Sequence, residues 1–233
     1  MTDGPVPDPG AGPSALFAGL VLAAGEGSRL GRPKGLLERA DGTSFMAHAV
    51  GVVASGGAAP VFVAVGAAGD DVSLLVPPSA VVVRADDWAE GMGASLRAGL
   101  RALSTAAGTA PDAAPGTATA PVAGPDAAGV DAVDAVVVGL VDTPGVTAEA
   151  VRRLGALASP SVLARCSYDG VPGHPVLIGR DHWAGAAAAA RGDQGARAYL
   201  RGRDVTLVEV ADVADGADVD TSEQYVEWRD DRA

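Results

Sequence analysis

Short apolar runs alternate with longer stretches of helical periodicity along most of this chain. The runs FAGLVLAA at residues 17–24 and DAVVVGLVD at residues 134–142 are rich in aliphatic side chains, which is typical of buried parallel strands. Similar runs predict five more strands, at residues 60–66, 80–84, 162–167, 175–178 and 205–210. Helical spacing predicts helices at about residues 43–55, 70–75, 92–103, 147 onward, 181–191, 195–201 and 221 onward. This alternation predicts an α/β fold with a mostly parallel sheet and helices on both of its faces.

Two segments break the alternation. Residues 1–13 are rich in Pro, Gly and Asp without periodicity and are predicted to form a disordered tail. Residues 104–129, STAAGTAPDAAPGTATAPVAGPDAAG, are predicted to form a flexible low-complexity insertion. Because the strand and helix pattern resumes after residue 129, we expect a surface loop within one domain, residues 14–233, rather than a linker between two domains.

Charge and composition exclude several classes of protein. Lys and Arg number 17 against 29 Asp and Glu, and the net charge of −12 disfavours nucleic acid as a partner. The single cysteine, Cys166, can form neither an intramolecular disulfide nor a cysteine zinc site. No apolar run approaches the roughly 20 residues of a spanning helix. A secretion signal would require basic residues near the start of the chain, but none precedes Arg29. A cytoplasmic protein without a membrane partner is therefore expected.

One loop reverses the acidic character of the chain. Of the 17 basic residues only Lys34 is a lysine, and it ends the sequence LAAGEGSRLGRPK, residues 22–34, directly after the first predicted strand. Gly25 and Gly27 allow backbone N–H groups to turn toward an anion, while Arg29 and Lys34 supply positive charge. The loop therefore predicts a triphosphate site, and the alternative is an ordinary glycine-rich turn with solvated basic side chains.

Two common nucleotide-binding patterns do not fit this loop. A dinucleotide fingerprint would need glycine where Leu30 stands. A Walker loop would place Lys34 between Gly and Ser or Thr, but its neighbours are Pro33 and Gly35. Dehydrogenase and ATPase or GTPase activity are therefore disfavoured.

Two carboxylates lie where a metal ion bound to nucleotide phosphates would need them. Asp142 ends a predicted strand, and Asp220 precedes a predicted helix in which Thr221 and Gln224 have capping-box spacing. Mg²⁺ on a nucleotide takes one or two protein carboxylates and completes its shell with water and phosphate. The alternative is that both aspartates are turn or capping residues.

Weaker signals lie in two other segments. Gly91, Ser95 and Arg97 surround the start of a predicted helix, a position that favours anions. His174 stands at the mouth of a predicted strand, in GVPGHPVLI, where a lone histidine is more often structural than catalytic. His48 and His182 are interpreted as structural residues.

The loop at residues 22–34 resembles the signature loop of the MobA-like nucleotidyltransferases, and in particular that of the molybdenum cofactor cytidylyltransferases. Five further segments resemble the same family in the same order: DDWAEGMGASLRAGL at 86–100, LVDTP at 140–144, GVPGHPVLI at 170–178, GDQGARAYL at 192–200 and DVDTSEQY at 218–225. The resemblance implies a Rossmann-like three-layer α/β/α sandwich. It also implies transfer of CMP from CTP to the phosphate of molybdopterin with release of pyrophosphate, because LAAG, rather than LAGG, goes with cytosine nucleotides in this family.

The resemblance also implies roles for individual residues. Lys34, Arg29 and Asp142 would be catalytic, and Asp142 with Asp220 would hold Mg²⁺, with Mn²⁺ as a substitute. The nucleotide would be bound by Leu22, Ala23, Ala24, Gly25, Gly27, Arg29, Lys34, Gly91 and Ser95. The acceptor would be bound by Arg97, Gly173 and His174, and a molybdoenzyme would be the client for the finished cofactor.

Other functions remain open on the sequence alone. One is guanylyl or cytidylyl transfer to another small phosphate, such as methylerythritol phosphate. Another is a non-catalytic nucleotide-binding protein that delivers cofactor. Two departures from the family pattern bear on acceptor choice: the low-complexity insertion, and Val141, which stands where many relatives carry glycine before the aspartate.

Overall fold

The computed structural model describes residues 15–25, 27, 30–66, 69–108 and 132–230. Within these ranges the strands are β1 (Leu16–Ala23), β2 (Val61–Val65), β3 (Ala80–Arg84), β4 (Val133–Leu140), β5 (Leu163–Tyr168), β6 (Val171–Gly179) and β7 (Thr206–Glu209). The helices are α1 (Phe45–Ser55), α2 (Gly69–Ser73), α3 (Met92–Ala106), α4 (Ala148–Gly155), α5 (Trp183–Ala189), α6 (Arg197–Leu200) and α7 (Ser222–Asp230). The predicted α/β class is confirmed.

The strands form one sheet in the order β3-β2-β1-β4-β6-β5-β7. All neighbouring pairs are parallel except those of β6, which runs antiparallel to both β4 and β5. Two buried layers flank the sheet because successive side chains of each strand point to opposite faces. Leu20 of β1 packs under α3, α5 and α6 on one face of the sheet. Val21 packs under α1 and α7 on the opposite face, where α4 covers β4 to β6. The three-layer sandwich is thus present.

The reversed strand corrects one sequence expectation. Only residues 175–178 were expected to be a strand, with His174 at its mouth, but β6 begins at Val171. Asp169 and Gly170 both have positive φ, 50° and 78°, which is the geometry of a two-residue hairpin turn. The Glu209 carboxylate accepts hydrogen bonds from both of their backbone N–H groups at 3.0 Å. The turn therefore folds β6 back onto β5, and Gly173 and His174 become part of the sheet.

Several helix boundaries also differ from expectation. Helix α3 continues to Ala106, so the first residues of the predicted insertion are helical; Ser104 and Thr105 donate side-chain hydrogen bonds to carbonyls one turn back. The rest of that insertion at residues 109–129 and the predicted tail at residues 1–13 lie outside the described residues. The segment expected as a helix at 181–191 begins as a 3₁₀ turn at Arg180–His182 before α5. In the described part of the chain, no helix is both long and apolar enough to cross a membrane.

The parallel pairing of β1 with β4 determines where a ligand can bind. Leu22 lies beside Leu140 in this register, so both strands end at the same edge of the sheet. Ligands in open α/β sheets bind outside the carboxyl ends of the strands. The glycine-rich loop after β1 and the aspartate after β4 therefore meet at this edge.

Candidate functional site

A cleft of about 380 Å³ opens at the carboxyl ends of β1 and β4, a volume suited to a small-molecule ligand. Eight of the nine residues predicted to bind nucleotide line this cleft: Leu22, Ala23, Ala24, Gly25, Gly27, Lys34, Gly91 and Ser95. The ninth, Arg29, lies outside the described residues. Asp142 lines the cleft as well. The fold thus brings residues from three distant segments of sequence to one surface.

Glycine is required at two positions around the cleft. Gly27 has φ +63°, and a Cβ there would lie 1.9 Å from the Arg32 carbonyl oxygen. Gly91 has φ +103°, and a Cβ there would lie 2.3 Å from Asp193 Oδ1. The loop after β1 can therefore fold tightly, and the segment around Asp193 can close over the start of α3. Asp193 also lines the cleft, and no local pattern in the sequence singles it out.

The single lysine lies between the two predicted metal-binding aspartates. Lys34 Nζ donates a hydrogen bond to Asp142 Oδ2 at 2.6 Å and another to Asp220 Oδ1. The three side chains are only 18%, 17% and 34% exposed, respectively. Burial alone would lower the pKa of Lys34, but the charges and hydrogen bonds of Asp142 and Asp220 outweigh it and raise that pKa. Lys34 therefore stays charged at neutral pH.

Backbone contacts hold the two aspartates together despite their separation in sequence. The Val219 N–H donates to the Asp142 carbonyl at 2.8 Å, which ties the segment before α7 to the end of β4. The Gln224 side chain then accepts from the backbone N–H groups of Asp220 and Thr221, and Thr221 Oγ1 accepts from the Gln224 N–H. This is the capping box predicted from the sequence, and it fixes the backbone of Asp220 at the start of α7.

The carboxylates suit a divalent cation. Asp142 Oδ1 is buried and has no hydrogen-bond partner within the described ranges, so it offers an acceptor that a cation could use. In the part of the chain that the structure describes, no group of three or more His, Cys, Asp or Glu side chains is placed so that it could hold a metal ion. Two carboxylates cannot fill the shell of a metal ion, but Mg²⁺ or Mn²⁺ bound to phosphates needs no more. Asp142 and Asp220 are therefore the residues that would hold such an ion.

A histidine that the sequence indicated as structural supports the loop after Asp142. His48 Nε2 lies 3.0 Å from the Pro144 carbonyl, which can only accept, so Nε2 donates to it. Arg39 Nη1 lies 2.9 Å from Nε2 and 3.1 Å from Nδ1, and in this tautomer only Nδ1 can accept from it. Burial, followed by the positive charge of Arg39, lowers the pKa of His48. The neutral ring fits both contacts. Nothing in the local sequence around His48 points to this role, because its partner is 96 residues away.

The residues expected to bind the acceptor do not line the described cleft. His174 lies on β6; its Nδ1 is buried and has no hydrogen-bond partner among the described residues. Burial and the charge of Arg165 lower the pKa of His174 to about 4, so the ring is neutral at pH 7. The Gly173 carbonyl accepts a hydrogen bond from Arg165 Nε at 3.1 Å. Burial and the positive charge of Arg197 lower the pKa of Arg165. Arg197 also acts on the pKa of His174, so it is a second arginine near that ring.

Arg97 has two intramolecular partners. Its guanidinium donates to Glu90 Oε2 at 2.5 Å and to the Ala190 carbonyl at 2.9 Å, and its side chain is only 12% exposed. These contacts join α3 to the end of α5, and the role of Arg97 in binding the acceptor stays a prediction. Arg165 and Arg197, which the sequence analysis did not select, are the basic residues beside His174.

Comparison with known proteins agrees with this geometry. Residues 19–210 match the family model described as the MobA-like NTP transferase domain. Nicotine blue oxidoreductase from Paenarthrobacter nicotinovorans is 32% identical over 218 residues, covering 88% of this chain and 93% of that protein.

Two solved structures from mycobacteria share the fold. A homologue of Rv0371c from Mycobacterium sp. strain JC1 has a TM-score of 0.69 and 27% identity, covering 92% of this chain and 96% of its own. Rv0371c of Mycobacterium tuberculosis H37Rv, solved in complex with manganese, has a TM-score of 0.65 and 23% identity, covering 93% of this chain and 99% of its own. The family model covers most of the chain, and the relative from Paenarthrobacter is similar over nearly its full length. The chain therefore belongs to the MobA-like NTP transferase family.

Proposed function

We propose that this protein transfers CMP from CTP to the phosphate of a molybdopterin-type cofactor and releases pyrophosphate. The observation that carries the proposal is the meeting of Lys34 with Asp142 and Asp220 at a cleft whose other wall is the glycine-rich loop. Nucleotidyl transfer needs positive charge and backbone N–H groups for a triphosphate and carboxylates for its metal ion. Lys34, Asp142 and the glycine-rich loop border one cleft, and Asp220 is joined to them through its contact with Lys34.

Nucleotidyl transfer requires little covalent chemistry from the side chains of the protein. An acceptor phosphate oxygen attacks the α-phosphorus of CTP, a new P–O bond forms, and the bond to the β-phosphate oxygen breaks with pyrophosphate as the leaving group. Lys34 and the backbone around Gly25 and Gly27 would hold the triphosphate in line for this attack. A phosphate monoester is already ionised at pH 7, so no side chain has to remove a proton from it. Arg29 is proposed as a further contact to the triphosphate.

Asp142 and Asp220 would hold Mg²⁺ or Mn²⁺, which when bound neutralises charge on the phosphates. The unpartnered Oδ1 of Asp142 supports this assignment. The manganese in the mycobacterial neighbour makes Mn²⁺ the natural second ion to test.

The choice of cytosine rests on the LAAG sequence of the loop after β1. Ala23 and Ala24 are buried, at 3% and 4% exposure, and both line the cleft. A Cβ on Gly66 would lie 2.7 Å from the Ala24 methyl and 2.4 Å from Trp88 Cβ, so these groups pack closely. CTP is proposed because LAAG resembles the loop of the cytidylyltransferases.

The test is a panel of the four nucleoside triphosphates with Mg²⁺ and a molybdopterin acceptor, with released pyrophosphate as the measurement. We expect turnover with CTP to exceed that with GTP by at least about tenfold, the size of effect that small differences in pocket shape produce. A preference for GTP would contradict the cytosine assignment. Turnover only with a different phosphate acceptor would contradict the molybdopterin assignment.

The name of the relative from Paenarthrobacter favours a second candidate, an oxidoreductase activity in the same cleft. Such an enzyme would need a reductant, and Leu30 stands where a dinucleotide fingerprint has glycine. Oxidation of NADH or NADPH with an electron-accepting dye, followed at 340 nm, distinguishes the candidates. Dye-dependent oxidation without pyrophosphate release in the nucleotide panel would favour the second candidate.

A further inference from the structure

The ammonium group of Lys34 occupies the space between the carboxylates proposed to hold the metal ion. It contacts Asp142 Oδ2 at 2.6 Å and Asp220 Oδ1. A divalent cation bridging the same two oxygens would also need direct contact with them, at about 2.0–2.1 Å for Mg²⁺. Because both ions are positive and need the same position, the contacts of Lys34 and those of a bridging metal exclude each other.

Lys34 has a second set of partners within reach when a nucleotide is bound. Its side chain lines the cleft together with Gly25 and Gly27, where the triphosphate is proposed to lie. A lysine is a point charge on a flexible stem, so its ammonium can move to new oxygens without moving the backbone. A triphosphate supplies such oxygens and carries more negative charge than the two carboxylates.

Removing Lys34 from the aspartates changes the charge of the cluster. With the lysine in place, two carboxylates and one ammonium carry a net charge of −1. Without it the charge is −2, and Asp142 Oδ2 loses a hydrogen bond while Oδ1 already has no partner among the described residues. The carboxylates then form a much stronger site for a divalent cation.

We propose that Lys34 serves as an internal counter-ion that reserves the metal site for the metal complex of a nucleoside triphosphate. Free metal binds weakly because it must displace the ammonium from both carboxylates. The triphosphate draws Lys34 away, so nucleotide and metal strengthen each other's binding. This inference rests on the proposed function, since it concerns the same cleft and the same substrate class.

The experiment measures Mn²⁺ bound to the protein by the enhancement of water proton relaxation. Wild type, Lys34→Met and Lys34→Arg are each titrated with Mn²⁺ alone, and wild type is then titrated with a non-hydrolysable CTP analogue present. We expect Lys34→Met to bind Mn²⁺ alone at least about tenfold more tightly than wild type, and the analogue to tighten Mn²⁺ binding to wild type by a similar factor. Lys34→Arg keeps the positive charge and should remain close to wild type.

A double variant shows where the gained metal binds. Adding Asp142→Asn to Lys34→Met should remove the gain, because one of the two carboxylates is then neutral. If Lys34→Met does not fold, as judged by circular dichroism, Lys34→Gln replaces it with the same expectation.

Two results would overturn the inference: Lys34→Met binding Mn²⁺ alone no more tightly than wild type, or wild type binding Mn²⁺ equally well with and without the analogue. The titration with metal alone needs no turnover and no acceptor, so it is separate from the test of the proposed function. If Lys34→Met gains Mn²⁺ affinity but wild type releases no pyrophosphate with any of the four nucleotides, the exchange stands and the transferase assignment fails.

Discussion

Single residues around the cleft have roles that their neighbours in space define. Lys34 joins two carboxylates, and Gly27 passes so close to a carbonyl that no side chain fits. Substituting either residue should change contacts at the cleft and leave the sheet and its packed layers intact, since neither residue lies in the apolar clusters.

Lys34→Ala should lower turnover by at least about a hundredfold, as expected when a preorganised positive charge is removed from a phosphoryl-transfer site. The measurement is pyrophosphate release under saturating CTP, with thermal unfolding as a check of the fold. Arg101→Ala is the matched control, because Arg101 is an exposed residue of α3 that does not line the cleft. Equal turnover in both variants would contradict the proposed role of Lys34.

Gly27→Ala and Gly31→Ala form a second matched pair. Both glycines have positive φ, +63° and +71°, but a Cβ at Gly31 meets no atom within 4 Å, whereas one at Gly27 meets the Arg32 carbonyl at 1.9 Å. Both variants pay for backbone strain, about 1–2 kcal/mol. Only Gly27→Ala must also move the loop, so it should weaken binding of a CTP analogue by calorimetry at least about tenfold more than Gly31→Ala. Equal affinities would show that the loop is not held in this shape when nucleotide binds.

At the scale of elements, α1 and α7 set the positions of the two aspartates. Arg39 lies 5.6 Å from the centroid of the Trp228 ring on α7, and Trp228 packs edge-on against Phe45 of α1. The same arginine contacts His48, which donates to the Pro144 carbonyl just after Asp142. The loop carrying Asp142 and the helix following Asp220 are thus braced against the same part of α1.

His48→Phe should loosen this arrangement. The Pro144 carbonyl and Arg39 lose their shared partner, which should cost about 1–3 kcal/mol of unfolding free energy and also weaken binding of Mn²⁺ with the CTP analogue. His182→Phe is the control: His182 also contacts a backbone carbonyl, that of Ser161, at 3.0 Å, but on a segment that does not carry Asp142. It should lose stability without losing affinity, and loss of affinity in both variants would argue against a positioning role for His48.

The elements were predictable to the extent that their signals are local. Apolar runs located β1 to β4, helical spacing located the start of α4, and the capping pair Thr221 and Gln224 located the start of α7. The structure adds that Thr147 Oγ1 accepts from the Ala150 N–H at the start of α4. The reversal of β6 was missed because it depends on the two-residue turn at Asp169 and Gly170 and on Glu209, 40 residues further along the chain. The contact of His48 with Pro144 and the positions of Asp193, Arg165 and Arg197 were missed for the same reason, since their partners are distant in sequence. The glycines and the single lysine of the loop could be selected because they lie together in one continuous segment of sequence.

At the scale of the whole molecule, burial of histidines makes stability depend on pH. Burial and the positive charges of Arg165 and Arg197 lower the pKa of His174 from an ordinary value of 6.5 to about 4. A hydrogen bond with the Val138 backbone and the negative charge of Asp218 oppose this shift. Between pH 6.5 and about pH 4 the His174 imidazole is protonated in the unfolded chain but neutral in the folded chain. Stability from this group is therefore complete above pH 6.5 and is lost as the pH falls through that window. The lowered pKa of His48 acts in the same direction.

Urea unfolding of wild type and His174→Gln between pH 4 and pH 7.5 measures this effect. We expect wild type to lose about 3 kcal/mol more than the variant across the window, since one pKa unit corresponds to about 1.4 kcal/mol. Protonation of carboxylates affects both proteins alike, and the difference between them isolates His174. Parallel pH profiles would mean that the ring is protonated in the folded protein as easily as in the unfolded one.

The hydrogen bond from the Val219 N–H to the Asp142 carbonyl joins the segment before α7 to a strand near the middle of the sheet. Asp220 follows every described strand in the order of synthesis, so a nascent polypeptide can assemble its whole sheet before the second carboxylate reaches Lys34. The proposed metal site is therefore completed only in the last steps of folding, and a chain that ends just before residue 219 would lack Asp220 together with Trp228, which packs in the apolar cluster beside α1.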